Sequence, residues 1–482
     1  MILLLAGASA LYLFFRPHSD LKTIDSLAVL PFTNGGPDPN AEYLSYGISD
    51  SLIRSLSQLS NLKVLAPGPE LRQKGREFDV RKVGKEMGVR AVVRGSVTQT
   101  EDRLSITVEL VDAEADTRLW GRQYDGDLSD IVSAQREVAK GVSENLRLEI
   151  DALDEKRMLK SYTENTEAYH LYLKGRLWRS KLSSDGYNKA IEYFNQAVEK
   201  DASYALAYAG LADCYSALIE FGSAAPKDVF PKAKEAASKA LALDDGLSEA
   251  HMMAAWIALL YEKDFAATER EYKRAIELSP NSPLIRSHYA GFLMLMGRHS
   301  EAIAERMRAL EIEPRSLFYN RQLGVSFYYA REYDRAIEQL RKTSEMNRAY
   351  RAAYEYLGLA YLEKGMYDQA ILVTQEGIRL NPDDGSLIAD LGCAYARSGE
   401  TAEAQKQVER LKELAAQRYV KPMDFVRIYA ELGDRDQAFA RLEEAFQEKG
   451  LSVAFVRVDP QLDSLRADPR FAGLMRKFGL LQ

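Results

Sequence analysis

The sequence predicts an α+β amino-terminal domain, a mixed sheet with helices, followed by an all-α superhelical solenoid of helical hairpins. Three observations lead to this fold class. The chain has 482 residues, well beyond the ~150 that one hydrophobic core comfortably serves. Residues 103–111 alternate apolar and polar side chains, which is typical of a strand with one buried face. Beyond about residue 166, small residues recur at a fixed spacing, which indicates an array of repeats.

Composition and charge exclude several classes of protein. Apolar residues make up 46% and charged residues 28% of the chain, which is typical of a folded protein and not of a disordered one. The net charge of −7 gives no basic excess for phosphates, so nucleic acid is not expected as a direct partner. The two distant cysteines and five scattered histidines predict neither a disulfide nor a metal site, and no cofactor is expected.

The uncharged stretch from Met1 to Phe15 predicts a membrane segment. As a helix it would reach ~22 Å, short of the ~30 Å hydrocarbon core, so we interpret residues 1–18 as a truncated transmembrane segment. A degraded secretory signal is one alternative, because Ala8-Ser9-Ala10 has the shape of a cleavage site although nothing basic precedes it. A merely apolar start is the other alternative.

Residues 19–151 predict the α+β domain. Short apolar runs bounded by turn residues predict strands at residues 26–32, 62–66, 91–98, 103–111 and 117–124. Apolar side chains at helical spacing predict helices at residues 42–59, about 79–87 and 128–146. The Gly35-Gly36 loop lacks the lysine and hydroxyl residue of a phosphate-binding loop, so we interpret it as a tight turn. A contact with a small ligand or peptide at this loop is the alternative.

A helical linker is predicted at residues 152–165, repeats at residues 166–449 and a carboxy-terminal cap at residues 450–482. The repeat length is 34 residues, and two sets of small residues follow it: Ala290, Gly324, Gly358 and Gly392, and Ala302, Ala336, Ala370 and Ala404. A 34-residue step with a small residue on a first helix and alanine on a second is the tetratricopeptide pattern. Small residues let paired helices approach closely. About seven repeats and a final helical unit are expected, with an atypical end that covers the last core.

The concave face of such a solenoid, lined by the first helix of each repeat, is the candidate partner-binding surface. Side chains projected onto it are Tyr172, Arg176, Arg179, Asp213, Arg321, Tyr328, Tyr329, Glu355 and Arg397. Tyrosine and arginine are common anchors of interfaces. The alternative for each residue is a solvated or inter-repeat role. No nucleophile, base and orienting carboxylate share a local motif, so no catalytic residue is predicted.

A family resemblance covers roughly residues 25–480. It is carried by residues 26–32, Glu42-Tyr43, Gly47-Ile48, the strand at residues 89–97, Leu110-Val111-Asp112-Ala113 and Leu119-Trp120. These motifs resemble the TolB amino-terminal-like domain, which is commonly followed by tetratricopeptide repeats. The arrangement is similar to the carboxy-terminal half of bacterial signalling proteins, where a serine/threonine kinase, nucleotide cyclase or winged-helix regulator precedes a membrane span. Repeat domains that clamp a peptide carboxylate resemble each other in a Lys/Asn pair, where this chain has Tyr172 and Arg176, so chaperone-tail binding is not expected.

The resemblance implies a membrane-anchored sensor or interaction module of a bacterial signalling system. It would bind proteins or peptides through the tetratricopeptide groove, attach to the inner membrane through its amino-terminal segment, and have no catalysis of its own. An envelope assembly or transport scaffold resembling TolB-associated adaptors is the alternative. The resemblance places the bulk of the chain outside the cytoplasm, whereas Arg16 and Lys22 favour the cytoplasmic side. Topology and assembly into a homo-oligomer stay open.

Overall fold

A small mixed sheet with helices leads into an array of helical hairpins in the computed structural model of the chain. The structure describes residues 23–36, 38, 41–65, 79–220, 226–448 and 455–478. The predicted truncated transmembrane segment, residues 1–18, lies outside these residues. Within the described ranges, no helix combines the length and the apolar character that crossing a bilayer requires.

The sheet has six strands among the described residues and matches the predicted mixed sheet. Its strands are β1 (Ser26–Val29), β2 (Thr33–Asn34), β3 (Lys63–Leu65), β4 (Ala91–Thr100), β5 (Arg103–Asp112) and β6 (Thr117–Asp127). They lie in the order β3-β1-β4-β5-β6, and β2 pairs with β4. Strand β1 is parallel to β3 and β4, whereas β4, β5 and β6 form an antiparallel meander. Strand β3 therefore forms one edge of the sheet.

Helices cover both faces of this sheet. The helices of the domain are α1 (Glu42–Leu56), α2 (Val80–Met87) and α3 (Ile131–Asn145). Leu44, Ile48 and Leu52 follow one another at four-residue spacing on α1 and are fully buried with Leu27 and Val29 of the sheet. On the other face, residues of α2 pack against Ala28 and its neighbours. Alternate residues of one strand thus enter two different cores, because successive side chains point to opposite faces.

Helix α4 (Ala152–Met158) leads to eight helical hairpins within the described residues. Their helices, in pairs, are α5 (Thr166–Arg179) and α6 (Ser184–Lys200), α7 (Ala205–Glu220) and α8 (Pro226–Leu243), α9 (Ser248–Ile257) and α10 (Phe265–Leu278), α11 (Pro283–Leu295) and α12 (His299–Ile312), α13 (Leu317–Tyr329) and α14 (Tyr333–Met346), α15 (Ala352–Glu363) and α16 (Tyr367–Leu380), α17 (Gly385–Ser398) and α18 (Thr401–Ala415), and α19 (Pro422–Glu431) and α20 (Arg435–Glu448). After them come two 3₁₀ turns (Phe455–Arg457 and Pro460–Leu462), α21 (Asp463–Arg466) and α22 (Pro469–Lys477).

Close helix packing explains the recurring small residues. A Cβ atom on Gly175 would lie 2.5 Å from Cε1 of Phe194, and one on Gly210 would lie 2.8 Å from the same ring. Phe194 is fully buried between them. In a later repeat, a Cβ atom on Gly324 would lie 2.5 Å from Cγ of Leu340. Distances under 3.0 Å require the helices to separate, so the small residues are needed for the stacking that the 34-residue pattern predicts.

Candidate functional site

The amino-terminal domain is attached to the first hairpin through two crossing helices. Gly47 of α1 lies so close to α5 that a Cβ atom there would be 2.7 Å from Cδ2 of Leu173. Beside this crossing, Arg176 donates to both carboxylate oxygens of Asp50 at 3.0 and 2.9 Å. Burial alone would raise the pKa of Asp50, but the charges of Arg176 and Arg54 outweigh burial and lower it. The ion pair therefore holds a charged carboxylate at the junction.

Further contacts extend this junction to the fourth hairpin. Lys160 lies 2.7 Å from the Asp244 carboxylate after α8, and Arg54 lies 3.7 Å from Glu249 at the start of α9. The Lys63 ammonium, on edge strand β3, donates to the Glu311 carbonyl of α12 at 2.8 Å. The adjacent Ile312 packs against the second core of the sheet. The domain consequently lies along the first four hairpins as part of one packed body.

Leucine at position 47 should detach the domain from the solenoid. In the Gly47→Leu variant the new side chain occupies the space of Leu173, and overpacking at a helix crossing forces the backbones apart. We expect amide exchange in α1 and α5 to accelerate at least tenfold while β5 stays protected, as measured by hydrogen–deuterium exchange. Gly473→Leu is the matched control, because a Cβ atom at Gly473 meets nothing within 4 Å. Unchanged exchange in Gly47→Leu would contradict the packing described above.

Five of the predicted groove residues form ion pairs between neighbouring repeats. Arg179 donates to Asp213, 34 residues later, at 2.7 and 3.2 Å. Arg321 lies 3.8 Å from Glu355, again one repeat later. Arg397 lies 3.2 Å from Glu363 and 3.0 Å from Glu431, one repeat before and one repeat after it. Equivalent positions on successive first helices are thus neighbours in space. Opposite charges 34 residues apart are the sequence signal that predicts such pairs.

The remaining predicted groove residues do not form an open surface. Tyr172 and Tyr328 are buried, with 2% and 0% of their surface exposed, and Tyr329 is also buried. Arg176 is engaged by Asp50 of the amino-terminal domain. The projection onto a free concave face is therefore wrong for these four residues. The physical reason is that other parts of the same chain lie on them.

Residues 455–466, which we name the C-terminal segment, cover the face near Tyr329. The Phe455 ring packs on the Tyr329 ring with their centroids 5.2 Å apart. Arg331, after α13, donates to both carboxylate oxygens of Asp463 at 2.6 and 2.9 Å. Arg427 of α19 donates to the Gln461 side chain at 3.0 Å. The C-terminal segment therefore connects the fifth and eighth hairpins.

Two basic residues occupy left-handed turns in which four other hairpins have glycine and the first hairpin has Leu182. The turn between the two helices of a hairpin has positive φ at Gly297, Gly365, Gly399 and Gly433, which are whole repeats apart. At the equivalent positions Lys263 and Arg331 adopt φ of 58° and 62°. A non-glycine residue there costs about 1–2 kcal/mol. Both side chains bind the end of the chain, since Lys263 donates to the Phe478 carbonyl at 2.5 Å and Arg331 to Asp463.

A buried cluster of charges lies under the C-terminal segment. Arg427 is 3.0 Å from Asp390 and 2.7 Å from Asp424, and all three side chains are at most 10% exposed. Burial raises the pKa of both carboxyls. The positive charge of Arg427 opposes this increase but does not cancel it. Burial would lower the pKa of Arg427, but the two carboxylates outweigh it and raise that pKa. No motif in the sequence indicates this cluster, although Asp390 and Asp424 are one repeat apart.

The cluster predicts a pH-dependent effect of the Asp390→Asn substitution. Because the folded-state pKa of Asp390 lies above its ordinary value of 3.8, the folded state holds a proton that the unfolded state releases above about pH 3.8. The stability of the wild type therefore falls as the pH rises from about 3.8 to the folded-state pKa of Asp390, whereas asparagine does not titrate. We expect the stability of the variant relative to the wild type, measured by urea denaturation, to increase as the pH rises above about 3.8. A gap that shrinks with rising pH would contradict the raised pKa.

A small polar cleft lies between the domain and the first hairpins. It has a volume of about 40 Å³ and is lined by Arg54, Arg136, Arg157 and Lys160 together with Tyr162 and Tyr169. Each of the four cations has a carboxylate within 4 Å. Within the described ranges there is no group of three or more side chains that could hold a metal ion. Cys214 and Cys393 are buried and unbridged.

Two family models match parts of the chain. Residues 22–140 match the second domain of HilA/YgeH-like transcriptional regulators, and residues 321–385 match the tetratricopeptide repeat. Residues 321–385 are thus similar to tetratricopeptide repeats, and the sheet domain is similar to the HilA-type second domain. This type of repeat supports protein–protein interaction. The resemblance to the TolB amino-terminal-like domain stays a prediction.

Relatives and solved structures are similar to parts of the chain. An adenylate cyclase-like protein of Rhizobium meliloti (strain 1021) is 31% identical over 258 residues, which cover 52% of this chain and 44% of that protein. The transcriptional regulator HilA of Salmonella typhimurium is 25% identical over 33% of this chain and 29% of its own length. The crystal structure of PilW, a type IV pilus biogenesis factor, aligns with 48% of this chain and 97% of its own at a TM-score of 0.39 and 17% identity. The chain spans less than half the length of the curated relatives described here.

Proposed function

We propose that this chain is the protein-interaction and sensing portion of a bacterial signalling or regulatory system, with no catalysis of its own. The observation that carries the proposal is the attachment of a HilA-like domain to the first four hairpins of a tetratricopeptide solenoid, through Gly47 and the Asp50–Arg176 pair. The similarity to an adenylate cyclase-like protein over 258 residues supports a place beside a signalling effector. Tetratricopeptide repeats support proteins or peptides as partners.

The packed junction suggests how the two parts work together. A partner that binds the solenoid shifts the domain only if it binds two arrangements of the junction with different affinity. The charged Asp50–Arg176 pair and the tight Gly47–Leu173 contact form a junction with few intermediate arrangements. We propose that partner occupancy on the repeats is transmitted to the domain at this place.

The anchor and the location are parts of the same proposal. We place a membrane anchor at residues 1–18, on the strength of their uncharged sequence. The bulk of the chain would then lie outside the cytoplasm, as the resemblance to membrane signalling proteins and the TolB-like motifs implies. Protease added to spheroplasts tests this placement, since it should digest the repeats. Repeats that survive the protease would contradict the extracytoplasmic location.

Affinity capture tests the interaction function. The full chain is immobilised, incubated separately with envelope and cytosolic extracts of the source bacterium, and its retained proteins are quantified by mass spectrometry. We expect at least one protein to be enriched more than tenfold over a column without the chain. The purified partner should bind the full chain in a titration. Its affinity should be lower for the Gly47→Leu variant of the chain and unchanged for the Gly473→Leu variant. Absence of any such protein from both extracts would contradict the proposal.

A further inference from the structure

The inner face formed by the fifth and eighth hairpins already holds a stretch of polypeptide, the C-terminal segment. We propose that this face is a peptide-binding site for a segment that carries an aromatic residue and two carboxylates, and that residues 455–466 occupy it as an internal ligand. The inference rests on the proposed interaction function and names its class of partner. The partner presents an aromatic side chain followed by carboxylates four and eight positions later, as Phe455, Asp459 and Asp463 do.

The C-terminal segment has the internal order of a preformed ligand. Arg466 donates to the carbonyls of Val456 and Asp459 at 3.2 and 2.9 Å, and to the Asp463 carboxylate at 2.9 Å. These bonds close the segment on itself. Phe455, Gln461 and the outer side of Asp463 contact the hairpins, and Val456, Leu462 and Leu465 are buried in the same core. Rigidity of this kind reduces the entropy lost on binding.

The face that contacts the segment includes a residue with an unfavourable backbone conformation, Arg331. Arg331 keeps a left-handed conformation that four equivalent turns fill with glycine. The guanidinium of Arg331 donates two hydrogen bonds to the Asp463 carboxylate. Paired bonds of arginine to a carboxylate combine strength with directional specificity. Beside it, Tyr329 offers the flat ring on which Phe455 packs.

The internal ligand leaves part of the site unsatisfied. The buried Tyr328 hydroxyl has no hydrogen-bond partner among the described residues, although the Asp459 carboxylate is close enough to help raise the pKa of Tyr328, an increase due mainly to burial. A buried unpaired hydroxyl costs free energy. A partner whose first carboxylate reaches Tyr328 would satisfy this donor.

Occupancy by the segment sets the apparent affinity for a partner. A peptide in solution binds only the fraction of molecules whose face is open, so the apparent dissociation constant increases as that fraction falls. Weakening the segment should therefore strengthen peptide binding, whereas weakening the face should abolish it. A residue that only stabilises the fold would not produce these opposite effects.

The test uses the full chain and a fluorescein-labelled peptide of sequence FVRVDPQLDSLR, which copies residues 455–466. We expect the segment variant Phe455→Ala/Asp463→Ala to bind the peptide at least tenfold more tightly than the wild type in fluorescence polarisation. Adding Arg331→Gly to that variant should remove the gain, because glycine fits the turn but cannot bind the carboxylate. Arg379→Ala, which removes an exposed partner of Glu376, is the control and should bind like the wild type. A peptide with alanine in place of its phenylalanine and second aspartate should not bind.

Circular dichroism and the melting temperature verify that each variant is folded. If Phe455→Ala/Asp463→Ala does not fold, the milder Asp463→Asn variant replaces it in the binding measurement. Equal peptide affinity in the wild type and the segment variant, or a gain that survives Arg331→Gly, would overturn the inference. Affinity capture on the same chains distinguishes the two proposals. If a protein is captured but the peptide gives no gain, only this inference fails. If the peptide binds as expected but nothing is captured, the inference stands and the proposed function fails.

Discussion

Arg427→Met should lower the free energy of unfolding by about 3–5 kcal/mol, because the buried Asp390 and Asp424 carboxyls and the Gln461 side chain lose the donor that they share. The guanidinium of Arg427 is the positive charge nearest to the carboxyls of Asp390 and Asp424, which are 1% and 3% exposed. It also holds Gln461 of the C-terminal segment. The loss should therefore appear in urea denaturation and as faster amide exchange in α17, α19 and residues 455–466.

The matched control for Arg427 is a surface arginine on the next helix. Arg441 pairs with Glu444 three residues later, and both side chains are more than a third exposed. Exposed pairs of this type contribute about 0.3–0.5 kcal/mol. Arg441→Met should thus be nearly neutral. A loss below about 1 kcal/mol in Arg427→Met would show that the two carboxyls are accommodated without the arginine.

The same substitution at Arg306 should have the opposite sign. Arg306 of α12 is 4% exposed, donates to the Ser287 hydroxyl, and has no carboxylate within 4 Å among the described residues. Its Nε atom has no hydrogen-bond partner there. Burial, followed by repulsion from Arg321, lowers the pKa of Arg306 to about 9. We expect Arg306→Met to increase the free energy of unfolding by about 1–4 kcal/mol, since a well-packed apolar side chain commonly replaces buried charge with a gain.

Arg286 provides the comparison for Arg306. It lies on the preceding helix with 13% of its side chain exposed, and it pairs with Glu305 at 2.7 Å. Arg286→Met should lower stability, because Glu305 then loses a partner in a half-buried site. Urea denaturation of both variants at pH 7 measures the difference. A destabilised Arg306→Met protein would mean that Arg306 has a compensating partner.

Periodic features of the fold could be predicted from the sequence. Strand β5 was predicted at residues 103–111 and occurs at Arg103–Asp112, because its alternation depends only on one buried face. The hairpins follow from glycines that must approach neighbouring helices, such as Gly324 against Leu340. Strand β2 was not predicted, since its two residues are too few to show a period.

Contacts between distant parts of the chain have no periodic signal. Asp50 and Arg176 are 126 residues apart, and nothing in either neighbourhood indicates that they meet. The sequence predicts a cap after residue 449 but not that Asp463 reaches Arg331, 132 residues before it. For this reason the projected groove residues Tyr172 and Tyr328 are buried instead of open. A basic residue at a turn position that four other repeats fill with glycine is a sequence signal for the contact between Arg331 and Asp463.

The bond from Lys63 to the Glu311 carbonyl also has a consequence for biosynthesis. The two residues are separated by 248 positions, so at ~5–20 residues per second a ribosome needs roughly 12–50 s to make the second after the first. During that interval strand β3 is an uncovered sheet edge, a place where unpaired backbone groups recruit other strands. A nascent chain that stalls before residue 311 should therefore aggregate through β3, and a chaperone that shields this edge would raise the yield of folded protein.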